Sequence, residues 1–307
     1  MKLLVTLGAF LFSSLINAAP LHNIVVFGDS LSDNGNLYEI MKHQLPQSPP
    51  YYEGRFSNGP VWVEYVIKSY FPNSASAHLF DYAVGGSGVS EEEDDDVLFT
   101  LKKQVNTYLL SHQDKADPDD LYVVWIGANN YLGLPSDTEQ TLNDVNAGIV
   151  HGIEKIIRKG AKHILLFNLP NLGKTPAAIE FDAEEEMNYF SMQHNEMLYQ
   201  SFNQLKIDNP EVEWLYFDLG TMFADVVEHP GDYGFNNVTT TCTNSIVDEL
   251  SKKSLLKMVA RVTPKDNNDA CDGYLFFDLV HPTAYAHQLI AEKVRQMLDV
   301  SGIEFSE

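Results

Sequence analysis

Cysteine, basic side chains and long apolar runs are the three shortages of this 307-residue chain. Its two cysteines, Cys242 and Cys271, cannot by themselves close a tetrahedral zinc site, and no Cys-x-x-Cys pair exists. The 20 Lys and Arg stand against 43 Asp and Glu, for a formal net charge of −23. A phosphate backbone is repelled over most of such a surface, so nucleic acid is not an expected partner. Beyond the amino-terminal stretch, no segment approaches the ~20 apolar residues that a membrane-spanning helix needs. What remains is a globular composition, 44% hydrophobic and 21% charged, too apolar for a disordered chain. A chain of this length buries on the order of three quarters of its unfolded surface.

Residues 1–18 read as an export signal: Lys2 supplies a thin positive start, residues 3–15 an apolar centre, and Asn17-Ala18-Ala19 a run of small residues. Cleavage is expected after Ala18, because the other candidate cut would leave Pro20 immediately behind it. Secretion follows as the expected location. In an exported protein an even cysteine count invites a disulfide. A Cys242–Cys271 bridge would close a loop of about 28 residues and stabilise by about 3 to 4 kcal/mol in the loop-entropy model.

Short β-branched and aromatic runs alternate with helical stretches. Residues 24–27, 121–126 and 163–167 are nearly continuous apolar strands of the kind buried on both faces, with 212–217 and 78–83 as weaker candidates. Helices are expected over 61–70, 97–110, 138–158, 182–206 and 283–298. This alternation implies parallel βαβ units and a three-layer α/β/α sandwich. In such sheets, sites gather at the carboxyl ends of the strands.

Two charged stretches stand apart. Residues 91–96 are six consecutive carboxylates, but they lack the alternating ligand spacing and turn glycine of a calcium loop, so no metal is expected there. Between the cysteines, Lys252, Lys253, Lys257 and Arg261 outnumber Asp248 and Glu249. Leu255, Met258, Val259 and Val262 form an apolar stripe with Lys253, Lys257 and Arg261 opposite. That pattern suits an ordinary packed helix, or a segment that lies transiently on an anionic lipid surface.

The residues that carry chemistry fall at predicted strand ends. The first strand runs into Gly28-Asp29-Ser30-Leu31-Ser32, where a serine entering a helix would sit near backbone N–H groups that stabilise negative charge. A serine hydroxyl needs a base, and the base needs an orienting group. Asp278 and His281, three residues apart, supply both if one turn folds the carboxylate onto the imidazole. Pro282 suits the first turn of the helix behind them. Oxyanion donors are available in the glycine-rich run Gly85-Gly86-Ser87-Gly88 and in Gly127-Ala128-Asn129-Asn130 after the strongest strand. Ser87 is the internal rival as nucleophile. A Gly-x-Ser-x-Gly elbow is not formed around Ser30, since Ser32 stands where the second glycine belongs. His287, inside the final helix, reads as packing or surface.

These four segments, in this order, resemble the SGNH, or GDSL, family of serine esterases and lipases over essentially residues 19–307. The resemblance implies a single domain with a mostly parallel, flavodoxin-like central sheet. It implies Ser30 as nucleophile with Asp278 and His281 as its relay, and an oxyanion hole of the Ser30 N–H, the Gly86 N–H and the Asn129 side chain. Gly85 and Gly86 are one residue apart, and the sequence does not separate them. Asn130 departs from the family's frequent Asp. No cofactor is implied.

A narrower likeness lies in residues 48–62, Ser-Pro-Pro-Tyr-Tyr-Glu-Gly-Arg-Phe-Ser-Asn-Gly-Pro-Val-Trp. The stretch is similar to that of bacterial glycerophospholipid:cholesterol acyltransferases and their secreted lysophospholipase A relatives. It implies acyl esters of lysophospholipids and phospholipids as substrates, cleaved to free fatty acid or passed to an alcohol such as cholesterol. The rival expectations are a carbohydrate acetylesterase on the same scaffold and a non-catalytic surface-binding module.

Overall fold

The computed structural model describes residues 20–89, 99–245, 262–263 and 271–306. Its centre is a five-stranded sheet, all parallel, made of β1 (Asn23–Gly28), β2 (Leu79–Asp81), β3 (Asp120–Trp125), β4 (His163–Phe167) and β5 (Glu213–Phe217) in the order β2-β1-β3-β4-β5. This is the flavodoxin-like order, in which the chain first builds to one side of β1 and then to the other, leaving a crevice beyond the carboxyl ends of β1 and β3. Val26, Val123, Leu165 and Leu215 lie in register across β1, β3, β4 and β5 and are all buried. Continuous burial is why these strands lack polar alternation.

Parity along the strands divides the core into two layers. Phe27 and Tyr122 face one side, where the Tyr108 ring of α3 (Leu101–Ser111) meets both. Trp125 and Phe167 face the other and pack on Trp62 of α2 (Trp62–Tyr70). Alongside α3 lie α5 (Thr138–Arg158) and α7 (Glu184–Asp208), while α2 pairs with α9 (Ala284–Val300). Shorter helices are α1 (Asn36–Ile40), α4 (Ala128–Leu132), α6 (Pro176–Glu180) and α8 (Leu219–Glu228). A small parallel pair joins β6 (Asn237–Thr241) to β9 (Tyr274–Phe276), and β7 (Asn244–Ser245) pairs antiparallel with β8 (Val262–Thr263). The three-layer sandwich read from the sequence is the observed architecture.

Differences from the sequence reading are local and have local causes. The strand expected over 78–83 contracts to Leu79–Asp81, although the Tyr82 and Val84 N–H groups still donate to the Val26 and Gly28 carbonyls while the Asp81 carboxylate accepts from the Ala83 N–H. The helix expected from 97 starts at Leu101, with the Thr100 hydroxyl accepting from Lys103 N–H as its cap. A helix expected from 182 starts at Glu184, since Asp182 takes a left-handed φ of 51°. The residues before it form α6, started by Thr175 and Pro176.

The expected disulfide is present, joining Cys242 to Cys271. The export segment 1–18, the acidic run 91–96 and residues 246–261 of the basic stretch lie outside the described residues. Among the described residues, no helix is long and apolar enough to cross a membrane, and no group of three or more His, Cys, Asp or Glu could hold a metal ion.

Gly28 marks how tightly β1 and β3 approach at the sheet edge: a Cβ there would stand 2.7 Å from the Trp125 carbonyl oxygen. Neither backbone can yield without shifting the turn that follows. Gly28→Ala is expected to cost about 1–3 kcal/mol, the usual penalty of overpacking. The urea midpoint checks it, and an unchanged midpoint would show that the edge has room.

Candidate active site

The site forms where β1 and β3 end. Past Gly28 the chain makes one helical turn, in which the Asp29 carbonyl accepts from Ser32 and Asp33 N–H and the Asp29 carboxylate from Leu31 N–H. Ser30 sits at the crown of this turn, almost wholly buried. The sequence reading placed it at the entry to a helix. Instead the turn stops, and α1 begins only at Asn36, so the field at Ser30 comes from local N–H groups rather than a helix terminus.

From the far end of the chain, the segment between β9 and α9 delivers the other two groups. His281 Nε2 lies 2.8 Å from Ser30 Oγ, and His281 Nδ1 lies 2.7 Å from Asp278 Oδ2. With Nδ1–H donating to the carboxylate, Nε2 is left to accept from the serine hydroxyl. The one-turn fold expected from the Asp-x-x-His spacing is present: Asp278 Oδ1 accepts from Val280 N–H at 2.9 Å and from His281 N–H at 2.7 Å. Burial alone would raise the Asp278 carboxyl, but His281, Tyr51 and the Val280 N–H outweigh it and hold it below the ordinary carboxylate value.

The glycine-rich turn after β2 distinguishes the two glycines by what their N–H groups bond. Gly85 N–H donates to Asp33 Oδ2 at 2.7 Å, so it is occupied. Gly86 adopts a left-handed φ of 81°, and neither its N–H nor that of Ser30 has a hydrogen-bond acceptor among the described residues. The Asn129 amide donates one of its two hydrogens to the Ser87 carbonyl at 2.8 Å. Asn130 makes a two-way pair with Val89, accepting from its N–H and donating to its carbonyl. An ionised Asp there would lose the donor half of that exchange. Ser87 is fully buried, with its hydroxyl accepting from Gln104. Among the described residues no histidine bonds to it, which counts against it as the rival nucleophile. His287 is packing, as read: it is buried, its Nδ1 accepts from Trp62 N–H, and burial pushes it down to about 3.

Three contributors escaped the sequence reading. Gln104 on α3 holds the end of β1 by both of its amide atoms, accepting from Gly28 N–H at 2.9 Å and donating to the Gly28 carbonyl at 2.7 Å. Its signal was available, as a polar residue in the buried stripe Leu101, Gln104, Val105, Tyr108 and Leu109. Asp33, by its bond to Gly85, ties the serine turn to the glycine turn. Tyr51 donates its hydroxyl to Asp278 Oδ2 at 2.5 Å across 227 positions, and nothing in the sequence points to that pairing.

An apolar cleft opens from these groups. Its lining includes Ser30, Asn129 and His281, with Met222, Phe223 and Val226 of α8 and Ala286, Leu289 and Ile290 of α9.

A chain with this fold and this site belongs to the GDSL-like Lipase/Acylhydrolase family, whose model matches residues 24–294. It is 33% identical to a phosphatidylcholine-sterol acyltransferase of Aeromonas hydrophila, over 92% of this chain and 91% of that protein. It is 29% identical to the secreted effector protein SseJ of Salmonella typhimurium, over 90% of this chain and 63% of that one. Among solved structures, an acetylxylan esterase of Geobacillus stearothermophilus shares the fold with a TM-score of 0.50 at 13% identity, covering 95% of this chain and 100% of the other. Family membership makes the protein an ester-acting hydrolase.

Buried carboxylates crowd behind the serine. Burial raises Asp29 to about 7 and Asp33 to about 6, and it raises Asp81 well above its ordinary value. A carboxyl held protonated in the fold but ionised in the unfolded chain makes the native state bind the extra proton, so stability falls as pH rises between the two values. The protein is therefore expected to lose stability from about pH 4 toward 7. Asp278, lowered instead, contributes the opposite slope only in more acid solution. Asp29→Asn should flatten the decline in a urea midpoint series across that range; an identical slope would show that Asp29 is already ionised.

Proposed function

We propose that this protein is an exported serine esterase that hydrolyses acyl esters of lysophospholipids and phospholipids, with Ser30 as nucleophile, His281 as general base and acid, and Asp278 as its orienting partner. The observation that carries the reading is the unbroken contact chain from Asp278 through His281 to Ser30 at the mouth of an apolar cleft.

In the first step Ser30 Oγ attacks the acyl carbonyl carbon while His281 Nε2 takes the hydroxyl proton. Asp278 stabilises the imidazolium that results. The carbonyl oxygen, now negative, is held by the N–H groups of Ser30 and Gly86 and by the remaining Asn129 amide hydrogen. Collapse breaks the bond to the glycerol oxygen, which leaves with the proton from His281. Water then attacks the acyl-serine ester, giving its proton to His281, and the fatty acid departs as Ser30 recovers a hydrogen. An alcohol such as a sterol in place of water would give acyl transfer through the same intermediate. The Aeromonas relative supports that second outcome.

The cleft favours long acyl chains over acetyl groups. Its sides are leucine, isoleucine, methionine, phenylalanine and valine, and burying each methylene there is worth about 0.8 kcal/mol. That argues against the carbohydrate acetylesterase reading, to which the structural neighbour lends only its fold. A contact chain complete at every atom argues equally against a non-catalytic module. Export through a signal over 1–18 belongs to the proposal and is supported by the disulfide. Transient contact with a membrane surface during catalysis is part of the same reading.

Ser30→Ala is expected to abolish turnover of a lysophospholipid, by on the order of 10⁴-fold or more. Full activity in that variant would end the assignment. Asn129→Ala should lower kcat by about 10²–10³-fold. Across p-nitrophenyl esters, kcat/KM should climb from acetyl to longer acyl chains; a flat or falling series would favour the acetylesterase.

A further inference from the structure

The stretch that carries the narrower family likeness does not line the cleft. No described residue between Leu31 and Trp125 is among those that do. Its side chains turn instead onto the segment that carries Asp278 and His281, and they grip it at four points. The Tyr51 hydroxyl donates to Asp278 Oδ2 at 2.5 Å. The Phe56 ring lies 5.0 Å from the His281 ring. Ser57 Oγ donates to the Pro282 carbonyl at 2.9 Å, and Asn58 Oδ1 accepts from Ala284 N–H at 2.8 Å. Phe56 also fills the space above Gly85, where a Cβ would stand 2.2 Å from its ring. One aromatic side chain thus separates the glycine turn from the imidazole.

The loop is anchored from behind. Arg55 makes a two-pronged bond to Glu64 on α2, Nη2 to Oε1 at 2.6 Å and Nε to Oε2 at 3.2 Å, and Glu64 Oε2 also accepts from Val61 N–H. An arginine in a motif associated with phospholipid enzymes invites a phosphate-binding role. Here its charge is spent on Glu64 and Glu53, and only 17% of the side chain is exposed. Within the loop, Tyr52 N–H donates to the Ser57 carbonyl and Arg55 N–H to the Tyr52 carbonyl, closing it on itself.

We propose that residues 51–58 are a clamp that sets the Asp278–His281 segment against Ser30, with Tyr51 as the positioning residue for the carboxylate and no part in reading the lipid. The proposal rests on the serine-esterase reading. Its physical content lies in how the Asp278 carboxylate is saturated. Oδ1 takes two backbone N–H groups, and Oδ2 takes the imidazole N–H and the tyrosine O–H. Without the hydroxyl, Oδ2 keeps a single partner and the carboxylate is held less firmly on the imidazole side. The positive end of the O–H dipole also opposes the build-up of imidazolium charge on the far side of the same oxygen. Asp29 and His287 also interact electrostatically with His281, and neither belongs to the loop.

The test is steady-state kinetics of the full chain on a short soluble ester and on a lysophospholipid, for the parent, Ser30→Ala, Tyr51→Phe and Ser57→Ala. Loss of a hydrogen bond to a charged group predicts that Tyr51→Phe lowers kcat by about 10- to 100-fold. KM is expected to hold within about twofold on both substrates, as for a group that acts only as the reaction proceeds. The acid limb of kcat/KM should move to higher pH by about half a unit or more. Ser57→Ala, which spares the Tyr51 pair, should lower kcat by a smaller factor and leave the limb in place; it also tests the clamp independently if Tyr51→Phe folds poorly. A KM that rises for the lysophospholipid alone would make the loop a lipid reader and overturn the clamp. So would an unchanged kcat and pH limb in Tyr51→Phe, or an unchanged kcat in a folded Ser57→Ala. Turnover surviving in Ser30→Ala would instead overturn the esterase reading itself.

Discussion

A single hydrogen bond, 2.8 Å from His281 Nε2 to Ser30 Oγ, joins positions 251 residues apart in the chain. Everything else at the site holds its two ends still. On the serine side, β1 is fixed by β3 along six paired residues and by the Gln104 amide at Gly28. On the histidine side there is little regular structure, since Asp278 to Pro282 lie between a three-residue strand and the first turn of α9. That segment is held by a few backbone bonds, such as Phe277 N–H on the His281 carbonyl and Ala177 N–H on the Leu279 carbonyl, and by side chains: Thr283 hydroxyl on the Tyr274 carbonyl, Ser57 on Pro282, and Tyr51 on Asp278.

Charge is distributed to match. The chain is strongly acidic, yet the carboxylates nearest the serine are buried, and burial favours their neutral form. Asp278 beside the imidazole is pulled the other way, because four donors converge on it. The site thus keeps one dependable negative charge beside the imidazole and limits others that would repel a forming oxyanion. The cleft adds little polarity of its own, and that suits an acyl chain.

Much of this was legible in the sequence, for reasons particular residues make plain. Continuous apolar runs at 121–126 and 163–167 named the central strands because a strand buried on both faces has no polar alternation. Ser30, Asp278 and His281 could be read because their chemistry restricts residue type and spacing. Gly86 was legible only to within one residue: what separates it from Gly85 is which N–H is already bonded to Asp33, a fact of the fold. Tyr51 was hidden altogether, since a long-range side-chain bond leaves no local pattern. The stretch around it was legible as a motif but pointed toward substrate, whereas its residues turn inward on the Asp278–His281 segment.

The central claim is that Ser30 is the residue that takes the acyl group. A fluorophosphonate reacts covalently with a serine activated in this way, and peptide mass mapping locates the adduct. The account predicts a single adduct on Ser30, abolished by His281→Ala. An adduct on Ser87 or another serine, or equal labelling of Ser30 without His281, would contradict it.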